Sequence, residues 1–117
     1  MEKESRRFCL ALDLKNDPQL IDAYIKCHAS ENFRPEITES IKKSGILEME
    51  IYLTGNRLFM IMEVDKDFDF SLKAKMDEEN PKVQDWESFV AIFQKNLPWA
   101  KEGEKWVLME QIFQLEK

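Results

Sequence analysis

The chain is short of what several chemistries require. Its 117 residues include one histidine, His28, two cysteines, Cys9 and Cys27, and three glycines, Gly45, Gly55 and Gly103. Glycines so far apart make no glycine-rich phosphate loop, so no nucleotide cofactor is expected. One histidine and two cysteines, with no C-x2-C spacing, argue against a zinc site; the chemistry is expected to need no metal and no cofactor. Two cysteines do not build a disulfide framework, and reduced thiols in the cytoplasm are the simpler reading. Basic charge is also scarce. Seventeen Lys and Arg stand against 23 Asp and Glu, for a net charge of −6, so no stripe is available to follow a nucleic-acid backbone. No apolar run approaches the roughly 18 residues that cross a membrane. The start, "MEKESRRF", has charges with no apolar core behind them and does not read as a signal peptide.

What is present suits one globular domain over residues 1–117: with 44% hydrophobic and 34% charged residues, a chain of this length can bury about two-thirds of its unfolded surface. From Arg6 to Leu14, Phe8, Leu10, Leu12 and Leu14 alternate onto one face, the pattern of a strand. "NDP" then supplies a polar cap and Pro18 at a first helical position. Leu20, Ile21, Tyr24, Ile25 and His28 follow at helical spacing, which predicts a helix from Pro18 to His28. A second helical segment starts at Pro35, carries Ile37 and Ile41 on one side, and ends at Ser44-Gly45. "ILEMEIYLTGNRLFMIMEV" reads as a hairpin turning near Gly55-Asn56. After a loop and a short helix, Asn80-Pro81 opens another helix with Val83, Trp86, Phe89, Val90 and Phe93 as its buried stripe, expected to stop near Leu97-Pro98. Trp106 to Leu115 reads as a last strand. The order β-α-β-β-α-β is that of an α+β, ferredoxin-like sandwich. Its second sheet face, carrying Cys9, Ala11, methionine and aromatic groups among Glu and Gln, is half apolar and calls for a cover, a ligand or another copy of the chain.

Tyr24 and His28 stand four apart, so on a helix their Cβ atoms lie roughly 5–6 Å apart and both side chains can reach one ligand. Imidazole takes and gives a proton near neutrality, while a phenol donates a hydrogen bond and seldom ionises. Together they suit proton transfer on a neutral, hydroxyl-rich substrate. The competing reading is a packed or capping histidine and a core tyrosine. Cys27 is turned about 100° from His28 on a helix, which sets aside a Cys–His nucleophile pair.

The residues "YIKCH" (Tyr24-x3-His28), "RPE" (Arg34 to Glu36), "IYL" (Ile51 to Leu53), "RLFMIMEV" (Arg57 to Val64), "QDW" (Gln84 to Trp86) and "IFQL" (Ile112 to Leu115), in this order and over nearly the whole length, resemble the L-rhamnose mutarotase family of small sugar mutarotases. The resemblance implies a dimeric α/β barrel, a homodimer with two sheets face to face, and a pocket in each subunit where Tyr24, His28 and Trp86 meet the sugar. It also implies an isomerase that interconverts the anomers of L-rhamnose or a relative such as L-fucose. The family often has a second tryptophan after the first, where this chain has Glu87. It often has tryptophan before the helix-starting Pro-Glu, where this chain has Arg34 after an apparent two-residue insertion. These departures make Glu87 and Arg34 candidates for setting sugar preference.

Mutarotation opens a cyclic hemiacetal and recloses it on the other face of C1, which asks for a base at the anomeric hydroxyl and a donor at the ring oxygen. His28 is the candidate proton carrier, Tyr24 the orienting donor or partner acid, and Trp86 the platform for the apolar face of the ring. Glu48, Glu50 and Glu63 could hold hydroxyls, although exposed strand carboxylates are common. Arg57 reads as a turn residue. Two other readings remain: a non-catalytic ferredoxin-like sensor of a small molecule, and a cofactor-free oxygenase on the same barrel, whose site would be apolar.

Overall fold

The computed structural model describes residues 5–116, so the first four residues, on which the reading of the chain start partly rests, lie outside the described part. The elements run β1 (Ser5–Leu14), α1 (Pro18–Cys27), α2 (Pro35–Lys43), β2 (Ile46–Thr54), β3 (Arg57–Asp65), α3 (Phe70–Glu79), α4 (Pro81–Ala91), β4 (Gln94–Lys95) and β5 (Val107–Leu108). The strands form one antiparallel sheet in the order β2-β3-β1-β4, with β5 also pairing to β1. Helices lie on one side. This is the ferredoxin-like arrangement that the element order implies.

Local chemistry accounts for the boundaries. Asp17 accepts from the backbone N–H groups of Gln19 and Leu20, and Pro18 follows at the first helical position; such a side-chain cap is worth about 1 kcal/mol. α1 stops at Cys27, with His28 as its cap at φ −98° and ψ −5°. α2 ends through Ser44 into Gly45, whose φ of +96° is the left-handed conformation that glycine adopts without a Cβ penalty. Gly55, at φ +57°, turns the β2–β3 hairpin beside Asn56.

Residues directly opposite in an antiparallel pair share a face. The pairing of Leu10 with Met60, Phe8 with Met62, and Met49 with Met62 places these side chains together. They pack with Leu14, Leu58, Val64 and the helices into two clusters, one around Phe68 and one around Tyr24, Val90 and Phe93. The opposite face carries Cys9, Ala11, Phe59 and Ile61 between Glu50, Tyr52, Glu63 and the Asp13–Arg57 pair. Met49, Met60 and Met62, which the half-apolar reading left available to that face, belong to the helix side.

Three expectations change. The helix over Trp86 stops at Ala91, not near Leu97, because Gln94 and Lys95 leave it to pair with Leu14 and Asp13 as β4. The helix after the hairpin is ten residues long, Phe70–Glu79, and its Asp69 cap accepts from Ser71 and Leu72. The last strand shrinks to Val107–Leu108: beyond the Met109 N–H, which donates to the Cys9 carbonyl at 2.7 Å, the chain has no further partner strand among the described residues. Among the described residues no helix is long and apolar enough to cross a membrane.

Candidate functional site

Tyr24 lies on the inward side of α1, only 4% exposed, with Leu14, Leu58, Val90 and Phe93 around it. The helix brings His28 beneath it, with the two rings 4.4 Å apart between centroids. Trp86, from α4, meets the His28 ring edge-on at 5.4 Å, and Phe33, from the segment between α1 and α2, closes the group at 5.6 Å from His28 and 5.2 Å from Trp86. One imidazole thus sits among three aromatic rings.

The protonation of that imidazole follows from its contacts. His28 Nδ1 is 2.8 Å from the Tyr24 carbonyl oxygen. A carbonyl only accepts, so Nδ1 carries the proton and donates, leaving Nε2 of the neutral ring as an acceptor. Burial pulls the His28 pKa below 6.5, and the bond to the Tyr24 carbonyl only partly opposes it. Burial also pushes the Tyr24 phenol up to about 12, against a lowering contact from Gln94. The site holds a neutral base beside a phenol that keeps its proton.

Cys27 is closer to His28 than the helical projection suggests, with Sγ 3.3 Å from Nδ1. The helix ends at Cys27, and both side chains fold back to the same carbonyl, the thiol donating to Tyr24 O at 3.1 Å. Proximity does not make a nucleophile pair here: burial raises the thiol pKa while it lowers that of the imidazole, so both groups stay neutral.

His28 and Phe33 form one end of a cavity of about 410 Å³ between α2 and β2, whose walls include Thr38, Lys42, Met49 and Ile51. That volume falls in the range of about 300–1,000 Å³ usual for small-molecule sites. A second depression, also about 410 Å³, lies on the outside of α1 and α4, between Lys26, Cys27, Arg34, Trp86 and Phe89. The profile of the L-rhamnose mutarotase family matches residues 7–115 of the chain. The chain belongs to the L-rhamnose mutarotase family.

Relatives agree with this assignment. The chain is 41% identical over 110 residues to an L-fucose mutarotase of Xanthomonas campestris pv. campestris, covering 94% of this chain and 88% of that protein. It is 35% identical over 115 residues to a UPF0734 protein of Dictyostelium discoideum, covering 95% and 90%. The crystal structure of an L-rhamnose mutarotase from Formosa agariphila superposes with a TM-score of 0.68 at 22% identity, over 95% of this chain and 99% of that one, which places the fold. Members of this mutarotase family are isomerases.

Within this mutarotase fold the residues singled out from sequence divide. Tyr24, His28 and Trp86 come together. Arg34 stands over the outer side of Trp86, its guanidinium 5.2 Å from that ring and 5.3 Å from Phe89, with Nη1 2.9 Å from Asp85. Its ionic partner is therefore Asp85, and not Glu87, which is half-buried on the same helix. Glu50 and Glu63 lie on the sheet face away from the helices, where Glu50 accepts from Tyr52 and Glu63 pairs with Arg7. Glu48 alone of the three borders the cavity. Arg57 is more than a turn residue: it makes a two-pronged pair with Asp13 at 2.8 and 3.2 Å. Phe33, Thr38 and Met49 escaped the sequence reading. Met49 was legible in the alternation of β2, whereas Phe33 sits in "ASENFRP", where no periodicity points a side chain anywhere.

Proposed function

We propose that the protein is a mutarotase that interconverts the α and β anomers of a 6-deoxyhexose, L-rhamnose or L-fucose, by general acid–base ring opening. The observation that carries this reading is the neutral His28 imidazole, tied through Nδ1 to the Tyr24 carbonyl and stacked beside Tyr24 and Trp86 at the end of a cavity. Its free Nε2 takes the proton of the anomeric hydroxyl as the bond from C1 to the ring oxygen breaks and passes that proton to the ring oxygen; after C1 has turned, the transfer runs in reverse as the ring closes. Tyr24, which keeps its proton to about pH 12, acts as donor. No covalent bond to the protein and no redox step is needed, and proton transfer of this kind is worth roughly 10²–10⁴-fold. Trp86 offers its ring to the C–H face of the sugar. The 41% identity to an L-fucose mutarotase supports L-fucose beside L-rhamnose.

We also propose that the working unit is a homodimer. Past β5 the chain runs on with Ile112 91%, Phe113 74% and Leu115 76% exposed, an apolar segment that a second copy would cover together with the half-apolar sheet face. The reading is tested by saturation transfer between the C1 proton signals of the two anomers in NMR, with L-rhamnose, L-fucose and control aldoses. Catalytic amounts of protein should speed exchange for one or both 6-deoxy sugars. Tight sugar binding with no faster exchange would favour the sensor instead.

A further inference from the structure

Gln94 belongs to β4, opposite Leu14, and reaches the inner side of α1. Its Nε2 is 3.5 Å from the Tyr24 hydroxyl and donates to it. Its Oε1 is fully buried and has no hydrogen-bond partner among the described residues.

These two facts have a joint consequence. A phenol oxygen that accepts from an amide N–H must send its own proton elsewhere. Since Tyr24 keeps that proton to about pH 12, it presents a donor. Beside it, within the width of one amide group, Gln94 presents an acceptor that none of the described residues satisfies. Buried polar atoms are nearly always paired, and an unpaired one is costly enough to call for an occupant. A donor and an acceptor side by side match an alcohol, which accepts and donates through one oxygen. At 3.5 Å the contact is long for a hydrogen bond, so it holds the phenol only loosely.

We infer that Gln94 and Tyr24 form a hydroxyl-binding subsite, in which one sugar hydroxyl accepts from Tyr24 and donates to Gln94 Oε1, while the Gln94 N–H holds the phenol in its donating orientation. Gln94 is thus a specificity-determining and positioning residue of the mutarotase site, and the inference rests on that reading of the site.

The test compares Gln94→Met, Tyr24→Phe and the double variant, with two readouts. The first is kcat and KM for anomer exchange. The second is the ¹³Cζ signal of labelled tyrosine, which is simple to assign because the chain has only Tyr24 and Tyr52. Gln94→Met should lower kcat/KM about tenfold, the worth of one well-placed hydrogen bond, with a raised KM. It should also move the Tyr24 signal and leave that of Tyr52. In the Tyr24→Phe background the same change should cost clearly less, since the subsite acts as a unit. Wild-type kcat/KM in Gln94→Met, or an equal loss in both backgrounds, overturns the inference. If the wild type does not speed exchange with any sugar, the mutarotase reading fails by itself. The subsite then stands or falls on whether L-fucose or L-rhamnose moves the Tyr24 signal in wild type and not in Gln94→Met. Should Gln94→Met fail to fold, Gln94→Glu replaces it: a carboxylate lacks the N–H and accepts the phenol's hydrogen bond itself, so Tyr24 no longer donates to the sugar and exchange should fall, and wild-type exchange overturns the proposal.

Discussion

On the helix side of the sheet, Leu12, Leu14 and Val64 are fully buried and Tyr24, Met62 and Phe93 nearly so, each large side chain contributing about 1.5–3 kcal/mol of burial. On the other side Tyr52 is half exposed, and the chain beyond β5 carries Ile112, Phe113 and Leu115 almost wholly in solvent. The same alternation of apolar residues built both faces. Among the described residues helices cover only the first, and that is where His28 and Tyr24 are held. On the function proposed above, chemistry would belong to α1, α4 and the covered face, and assembly to the open face and the tail. Changes on one side should leave the other intact, and each prediction below can break that division.

The largest effect belongs to the covered face. His28→Ala should remove the enhancement of anomer exchange, a loss of roughly 10²–10⁴-fold, while the circular dichroism and oligomeric state stay unchanged, since the half-buried ring stands at the end of α1 outside the two core clusters. Tyr24→Phe keeps the packing around Phe93 and loses one hydroxyl, so it should cost less than the histidine change. A folded His28→Ala protein that exchanges anomers at the wild-type rate would end the proposed mechanism.

Next in size is the open side. Wild type should sediment at micromolar concentration as a species of twice 13.9 kDa, the isologous pairing expected of an apolar face. Ile112→Ser with Phe113→Ser should shift it to the monomer. If the monomer keeps His28-dependent exchange, the two regions are independent. If exchange falls with dissociation, the partner completes the site and the separation drawn above is wrong. A wild-type monomer would count heavily against the dimeric barrel.

How far this division could be read in advance varies along the chain. α1 and the hairpin were legible because periodicity and caps agree: Asp17-Pro18 before the helix, Gly55-Asn56 between alternating strands. The Tyr24–His28 pair followed from spacing and from the family likeness. The C-terminal third was harder. Val90, Phe93 and Leu97 continue a helical stripe, yet Gln94 and Lys95 gain more by pairing with β1, a tertiary preference no local pattern announces. The tail from Met109 alternates like a strand but has no partner strand among the described residues. The closeness of Cys27 to His28 depends on where the helix ends, which a helical projection ignores.

A smaller and diagnostic effect concerns pH. Burial lowers the His28 pKa, so its neutral, base form is favoured in the folded protein. Exchange should therefore be flat above pH 6.5 and fall only on the acid side of that value. The linked stability has the same sign. With the folded pKa below the unfolded one, the unfolded chain binds the proton more readily, so the contribution is complete above pH 6.5 and is lost as pH falls toward the folded pKa. No alkaline limb is expected below pH 10, because Tyr24 holds its proton to about 12. A rate that declines between pH 7 and 9 would point to a different acid.

The smallest effect tests where the covered face ends. Arg34 lies against the outer side of Trp86 and pairs with Asp85; an exposed pair of this kind contributes little stability, about 0–1 kcal/mol. Its value to the site would come through the ring it covers, by fixing the face that Trp86 offers to the sugar. Glu87, half-buried on the next position of α4, is the other polar residue at a position where the family resemblance leads one to expect tryptophan. A polar wall separates epimers better than an apolar one, because a mismatched hydroxyl leaves a buried group unpaired. L-Rhamnose and L-fucose differ in the placement of ring hydroxyls, so the readout is the ratio of their exchange rates in wild type, Glu87→Trp and Arg34→Trp. A change of a few-fold in the ratio, with His28-dependent exchange retained, would assign sugar preference to that position. The geometry favours Arg34 as the larger of the two, since it touches Trp86 directly. An unchanged ratio in both variants would return them to the outer surface and leave discrimination to the cavity walls at Thr38 and Met49 and to the proposed contact with Gln94.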